Sequence, residues 1–145
     1  ALPFLPTERL AGSAPPDAPL ALVANHRGRQ IIMAANPAAL AEAIAPGLPL
    51  ADARARLPGL QVAPHDPAGD AACRDWLALA ATRYSPMVRS HHRGLLLDIT
   101  GAAHLFGGEA SLVADAVTRL ERLGFTAQPA LAATPAAAMA LAWFG

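Results

Sequence analysis

Four basic side chains lie close together in one short segment of this chain. They are Arg89, His91, His92 and Arg93. Arginine side chains bind phosphate oxygens directly, so this segment could contact a nucleic-acid backbone. The alternative interpretation is a solvated hairpin turn whose polar residues face water. A zinc site built on the two histidines is disfavoured, because neighbouring residues of a strand point to opposite faces and no other ligand is near in the sequence.

The acidic residues are spread along the chain and form no pair suited to holding two metal ions. They are Glu8, Asp17, Glu42, Asp52, Asp66, Asp70, Asp75, Asp98, Glu109, Asp115 and Glu121. Phosphoryl chemistry with two metals needs carboxylates that converge on the phosphates. Only Asp98 lies inside a predicted sheet strand, and we expect it to hydrogen-bond a turn near Thr100 and Gly101. The sequence therefore predicts no metal site, no cofactor and no catalytic carboxylates.

The composition is that of a globular protein rather than a disordered one. Of the 145 residues, 54% are hydrophobic and 15% are charged, and the formal net charge is +0. A neutral chain has no strong general electrostatic attraction to DNA. The single cysteine, Cys73, excludes an internal disulfide. No stretch has the length of a transmembrane span or the pattern of a leader, which predicts a cytoplasmic protein.

Hydrophobic periodicity and turn residues predict an α+β fold with one mainly antiparallel sheet covered by helices on one face. We expect helices at residues 6–10, 38–45, 52–57, 71–84, 109–123 and 135–144. We expect strands at residues 1–5, 20–24, 31–35, 60–64, 86–90, 95–99 and 125–132. Asn36 is the predicted N-cap of the second helix, with Pro37 in its first position. Trp76 and Trp143 lie on apolar helix faces and are expected in the core.

The order of these elements predicts two parts. Residues 1–14 and 65–145 form the main domain, and residues 15–64 form a small inserted α/β subdomain. The segment 11–19, which is rich in Gly, Ser and Pro, is the expected linker between them.

The segment Leu97-Asp98-Ile99-Thr100 resembles the palm of the Y-family (translesion) DNA polymerases, where a strand ends Leu-Asp-Val-Thr. In that alignment the catalytic Asp-Glu pair of the family falls on Arg93 and Gly94. The resemblance implies a ferredoxin-like palm with an inserted fingers subdomain, and a thumb and little finger that this chain does not include. The missing acids point to the ImuB-like proteins, which resemble Y-family polymerases without the catalytic carboxylates.

Two further departures from the Y-family pattern agree with the loss of the catalytic acids. The fingers positions that carry a Tyr and an Arg in the family are Pro37 and Leu40 here. The Asn-Lys pair of the family palm is Thr134-Pro135. A bound triphosphate needs charge-assisted hydrogen-bond donors, and these positions supply none.

The resemblance implies a non-catalytic subunit that supports error-prone translesion synthesis and DNA repair. Its implied partners are an error-prone C-family polymerase, an ImuA-like protein, the sliding clamp and DNA. Two alternatives stay open at this point. One is an active translesion polymerase, and the other is a protein-interaction module with no nucleic-acid role.

Overall fold

The computed structural model describes residues 1–12, 15 and 17–145. The predicted linker falls partly on positions 13, 14 and 16, which lie outside the described residues. The helices are α1 (Leu5–Leu10), α2 (Pro37–Ala41), α3 (Leu50–Arg56), α4 (Pro67–Ala80), α5 (Glu109–Arg122) and α6 (Pro135–Phe144). The strands are β1 (Leu20–His26), β2 (Arg29–Ala35), β3 (Gln61–Pro64), β4 (Val88–His91) and β5 (Gly94–Leu97). The α+β class predicted from the sequence is confirmed.

The chain divides into two compact units, one of residues 4–67 and the other of residues 1–3 with 68–145. The first unit contains a three-stranded sheet in the order β2-β1-β3, with β1 antiparallel to β2 and parallel to β3. Its core is built by apolar side chains from the sheet, from α2 and α3 and from the segment between these helices, including Ile32, Ala39, Ile44 and Ala53. The second unit contains the antiparallel pair β4-β5 together with α5 and α6.

The turn of the β1-β2 hairpin has the backbone conformation that its residues favour. Arg27 and Gly28 both have positive φ (51° and 79°), which is the backbone of the two-residue turns that suit twisted hairpins. The side chain of Asn25 accepts a hydrogen bond from the amide of Gly28 and stabilises the turn. The predicted hairpin is confirmed, and both of its strands are longer than predicted.

Asn36 connects α2 to the sheet. Its side-chain oxygen accepts hydrogen bonds from the amides of Ala39 (2.9 Å) and Leu20 (3.0 Å), and its amide group donates to the carbonyl of Ala18 (2.8 Å). The predicted N-cap is therefore confirmed. The helix is shorter than predicted, because the chain turns at Ala43, whose φ is 61°.

Two expectations for the second unit are wrong. Residues 125–132 form no strand, although Gln128 exchanges two backbone hydrogen bonds with Ala1. Within the described residues, the sheet of this unit is the antiparallel pair β4-β5, and the three-stranded sheet belongs to the other unit. Trp76 is 54% exposed on α4 rather than buried in the core. A strand is defined by a ladder of hydrogen bonds, and one pair of residues does not make a ladder.

In the part of the chain that the structure describes, no helix is both long and apolar enough to cross a bilayer.

Candidate nucleic-acid interface

The basic segment found in the sequence lies at the tip of the β4-β5 hairpin. The register pairs Arg89 with Leu96 and His91 with Gly94, which leaves His92 and Arg93 as the two turn residues. The side chains of Arg89, His92 and Arg93 are exposed, and that of His91 is half-buried. The hairpin therefore places the four predicted residues along β4 and its turn.

Arg93 contacts aromatic side chains that lie far from it in the sequence. Its guanidinium carbon lies 4.6 Å from the ring centroid of Trp143 and 5.7 Å from that of Phe144. A cation over an aromatic face at these distances is attracted by the ring quadrupole. The only signal in the sequence was an aromatic pair at the end of the apolar helix α6, and nothing in it indicated which cation would reach that pair.

The two histidines lie side by side, with ring centroids 4.1 Å apart. Nδ1 of His91 accepts a hydrogen bond from the Arg93 amide (3.3 Å). Burial lowers the pKa of His91 below its usual value, and the nearby positive charges of His92, Arg93 and Arg74 lower it further. His91 is therefore neutral at neutral pH, and a neighbouring anion would favour its protonation.

One acid lies beside this cationic tip. The hydroxyl of Ser90 donates a hydrogen bond to Oδ1 of Asp75 on α4. Arg74 precedes Asp75 on the same helix and is close enough to affect the pKa of His91. His92, Arg93 and Arg74 are all close enough to His91 to lower its pKa, so the surface around His91 is basic although the whole chain is neutral. No group of three or more His, Cys, Asp or Glu side chains within the described ranges is arranged to hold a metal ion.

Gly94 follows the tip in a conformation that only glycine adopts easily. Its φ is +152°, and an added Cβ would lie 3.0 Å from the Cα of Ala1 and 3.1 Å from the nitrogen of Leu2. Both of these neighbours are backbone atoms, so they cannot move aside as a flexible side chain would. The backbone at the start of the chain therefore occupies the space that any side chain at position 94 would need.

Asp98 lies one residue beyond β5 and is exposed, so the prediction that it sits inside a strand is wrong. Its Oδ1 accepts a hydrogen bond from the amide of Thr100 (3.0 Å), and its own amide donates to the carbonyl of Met87 (3.0 Å). The side chain thus stabilises the turn that leads away from the hairpin. The Thr100 side-chain and backbone hydrogen bonds lower the pKa of Asp98 below its usual value.

This geometry predicts a small, pH-dependent effect of Asp98→Ala on stability. A carboxyl whose pKa is lowered by folding stabilises the fold above its unfolded pKa of 3.8, and the effect is lost as the pH falls through the folded pKa. We expect the variant to melt slightly below the parent at pH 7 and together with it near pH 2. Thermal denaturation at the two pH values tests this, and an equal difference at both would contradict it. At pH 7, Asp98→Asn, which keeps an oxygen acceptor, should have a melting temperature between those of the parent and Asp98→Ala.

A family profile and several known proteins match this chain. The profile described as IMS, the impB/mucB/samB family, matches residues 15–142. The chain belongs to this family. Its relatives include Protein ImuB from two strains of Caulobacter vibrioides, NA1000 / CB15N and ATCC 19089 / CIP 103742 / CB 15. Each is 50% identical over 101 residues, which is 69% of this chain but only 22% of the relative. The chain thus spans about a fifth of the length of these relatives.

Solved structures of Y-family polymerases share the fold. A ternary complex of Dbh with partially disordered substrates matches with a TM-score of 0.75 at 15% identity, over 97% of this chain and 41% of the other. A Y-family DNA polymerase chimera of Dbh and Dpo4 matches with a TM-score of 0.72 at 15% identity, over 86% of this chain and 39% of the other. The predicted likeness to Y-family polymerases and to ImuB is confirmed by these matches.

The positions that the resemblance aligns with triphosphate contacts lie in α2 and at the start of α6. Pro37 is the first residue of α2, and Leu40 lies within the same helix and is 39% exposed. Thr134 is the N-cap of α6, where its hydroxyl accepts a hydrogen bond from the amide of Ala137 (3.2 Å), and Pro135 is the first residue of that helix. None of these four side chains offers a charged donor to a phosphate.

Proposed function

We propose that this chain is part of a non-catalytic, Y-family-polymerase-like subunit that supports error-prone translesion DNA synthesis and DNA repair in the cytoplasm. The observation that carries the proposal is the tip of the β4-β5 hairpin. Arginine and glycine occupy the positions that align with the catalytic acids, and the backbone of Ala1 and Leu2 packs against Gly94. A cation held over Trp143 takes the place of the carboxylates that would bind metal ions.

The same hairpin supports a role in holding DNA. The exposed side chains of Arg89 and Arg93 present charge-assisted donors suited to phosphate oxygens, and these donors carry no base preference. We propose that any DNA contact of this chain is modest and sequence-independent, and that it includes Arg89, His91, His92 and Arg93. The proposed partners of the whole subunit are an error-prone C-family polymerase, an ImuA-like protein and the sliding clamp, reached largely through regions outside this chain.

The DNA contact is tested by Arg89→Ala combined with Arg93→Ala in the full-length protein. Each phosphate contact that is lost lowers the slope of log affinity against log salt by about 0.9 for duplex DNA, so two lost contacts lower it by about 1.8. We expect weaker binding and a flatter slope, with no change in sequence preference, in a fluorescence-anisotropy titration over several salt concentrations.

The matched control is Arg27→Ala with Arg29→Ala, which removes two exposed arginines from the hairpin turn of the other unit. We expect this control to bind like the parent. Equal weakening in both double variants would mean that net charge rather than the β4-β5 tip decides binding. Melting temperatures of both variants show whether loss of the contact between Arg93 and Trp143 has unfolded the protein.

The histidines give a second measurement on the same proteins. Since the pKa of His91 lies below its usual 6.5, its protonation adds positive charge only as the pH falls below that value. Binding of the parent should therefore strengthen between pH 7 and about pH 5.5, and His91→Gln with His92→Gln should reduce this gain. If that variant keeps the pH dependence and the salt dependence of DNA binding of the parent, the histidines are not part of the interface.

A protein-interaction module with no nucleic-acid role is the second candidate, and the exposed Trp76 and Leu79 on α4 favour it. They are 54% and 70% exposed and lie three residues apart on one helix, where adjacent large apolar side chains are typical of protein contacts. Salt-insensitive, weak binding to primed DNA by the parent protein would support this candidate over the first.

A further inference from the structure

One cation and two aromatic rings meet where the last turn of α6 lies beside the β4-β5 hairpin. The guanidinium carbon of Arg93 lies 4.6 Å from the ring centroid of Trp143 and 5.7 Å from that of Phe144. Trp143 is half-buried, whereas Phe144 is 78% exposed. Neighbouring residues of a helix point about 100° apart. One guanidinium therefore contacts both a ring that is held in the fold and a ring that faces solvent.

The backbone of Arg93 is fixed on both sides of its Cα atom. Its amide donates a hydrogen bond to Nδ1 of His91 (3.3 Å), and its carbonyl accepts one from the amide of Leu2 (2.9 Å). With its backbone bonded and its side chain against Trp143, Arg93 loses little conformational freedom when a ligand binds. The arrangement is therefore preorganised for a ligand that an arginine and an exposed ring can bind together.

An unpaired nucleotide has the chemistry that this arrangement can bind. Its phosphate oxygens accept charge-assisted hydrogen bonds from a guanidinium. Its base is flat and stacks on aromatic side chains, as in proteins that bind single strands without sequence preference. Inside a duplex both faces of a base are covered by the neighbouring base pairs, so a protein ring cannot stack on them. An exposed ring beside an arginine thus favours a single strand over a duplex.

The charges around Phe144 favour a nucleic acid over an apolar protein surface as the ligand. Arg89 and His92 are exposed on the same hairpin as Arg93. Arg74 is close enough to this hairpin to lower the pKa of His91. Several cations near one exposed ring match a ligand that carries a negative charge on each of its units.

We propose that Phe144 stacks on one unpaired base of single-stranded DNA while Arg93 binds the adjoining phosphate, and that Trp143 positions the guanidinium of Arg93. The proposal rests on the DNA contact proposed above for the β4-β5 hairpin and extends it. It adds two residues of α6 to the contact, and it makes unpaired DNA a better ligand than duplex DNA. Every base has a face that can stack, so the contact has no strong base preference.

Phe144→Leu in the full-length protein tests the stacking, because leucine keeps an apolar side chain and has no ring. Fluorescence anisotropy measures the Kd for a short labelled oligothymidylate, for an abasic oligomer of the same length and for a blunt hairpin duplex. We expect the parent to bind the oligothymidylate most tightly. The variant should bind the oligothymidylate about fivefold or more weakly and the other two ligands as the parent does. Its salt dependence should not change, because no phosphate contact is lost.

Trp76→Leu is the matched control, since it removes a 54% exposed ring from α4 in the same unit. It should bind all three ligands as the parent does. Trp143→Leu should weaken binding of all three, because the guanidinium of Arg93 is no longer held, and Trp143→Phe should restore most of the affinity. Melting temperatures of these variants show that each of them is folded.

Equal affinity of the parent for the oligothymidylate and the abasic oligomer would overturn the proposal, because the bases would then contribute nothing. So would an unchanged affinity of Phe144→Leu for the oligothymidylate, or an equal loss in Trp76→Leu. If Arg89→Ala with Arg93→Ala still flattens the salt dependence in any of these cases, the DNA contact of the hairpin stands without the stacking. Failure of the stacking is thereby distinguished from failure of the proposed function.

Discussion

Replacing Gly94 with alanine should destabilise this protein more than the same change at Gly101. Two costs add at this position. A side chain at positive φ costs about 1–2 kcal/mol, and a Cβ placed 3.0 Å from the Cα of Ala1 forces two backbone segments apart. Overpacking of this kind costs a further 1–3 kcal/mol or so. Urea denaturation of the parent and the variant measures the sum.

Gly101→Ala is the matched control for this prediction. Gly101 also has a positive φ (+75°), but nothing lies within 4 Å of a Cβ added there. We expect this control to show the conformational cost alone. If the two variants lose the same stability, the close approach of Ala1 and Leu2 to position 94 contributes nothing, and the steric argument for the missing acid fails with it.

The full-length protein should extend no primer above the background without enzyme, with either magnesium or manganese. The aligned acid positions carry Arg93 and Gly94, and a guanidinium repels the divalent cations that the reaction requires. The start of α2 and the start of α6 also supply no charged group for the triphosphate. A Y-family polymerase such as Dbh, assayed on the same primed template, provides the positive control.

The double change Arg93→Asp with Gly94→Glu should not restore this activity. A glutamate at position 94 meets the backbone of Ala1 and Leu2, so it cannot take the position of a metal ligand without moving the hairpin. Metal-dependent extension by either protein, rising with its concentration and persisting through purification, would contradict the non-catalytic assignment. Extension by the double variant alone would show instead that only the acids are missing.

The predictions on DNA binding and on primer extension both depend on the Arg93 side chain. Its position over Trp143 and Phe144 places a permanent positive charge at the hairpin tip. The backbone carbonyl of Arg93 accepts a hydrogen bond from the amide of Leu2. A permanent positive charge attracts an anion such as a phosphate and repels a metal ion, and the predictions on DNA binding and on primer extension both rest on this. The DNA-binding and primer-extension predictions test these two consequences separately.

Local signals in the sequence were enough to predict most elements. The cap at Asn36, the Arg27-Gly28 turn and the amphipathic stripe of α5 each depend on residues only a few positions apart. For the same reason the clustering of Arg89, His91, His92 and Arg93 followed from one predicted hairpin. The alignment that places Arg93 and Gly94 at the acid positions of the family also came from the sequence, because the segment around Asp98 is contiguous, and it stays a prediction.

Contacts between distant segments were decided only by the tertiary structure. Residues 125–132 have the composition of a strand, yet a strand exists only where a neighbouring backbone completes its ladder, and here Ala1 alone pairs with Gln128. Trp76 has a helical spacing typical of a core residue, but periodicity does not say which face another element covers. The stacking of Arg93 on Trp143 and the crowding of Gly94 by Ala1 join positions that are far apart in the chain. The sequence by itself determined the local elements and the identity of the residues at the hairpin tip, and the packing of remote segments determined what those residues can touch.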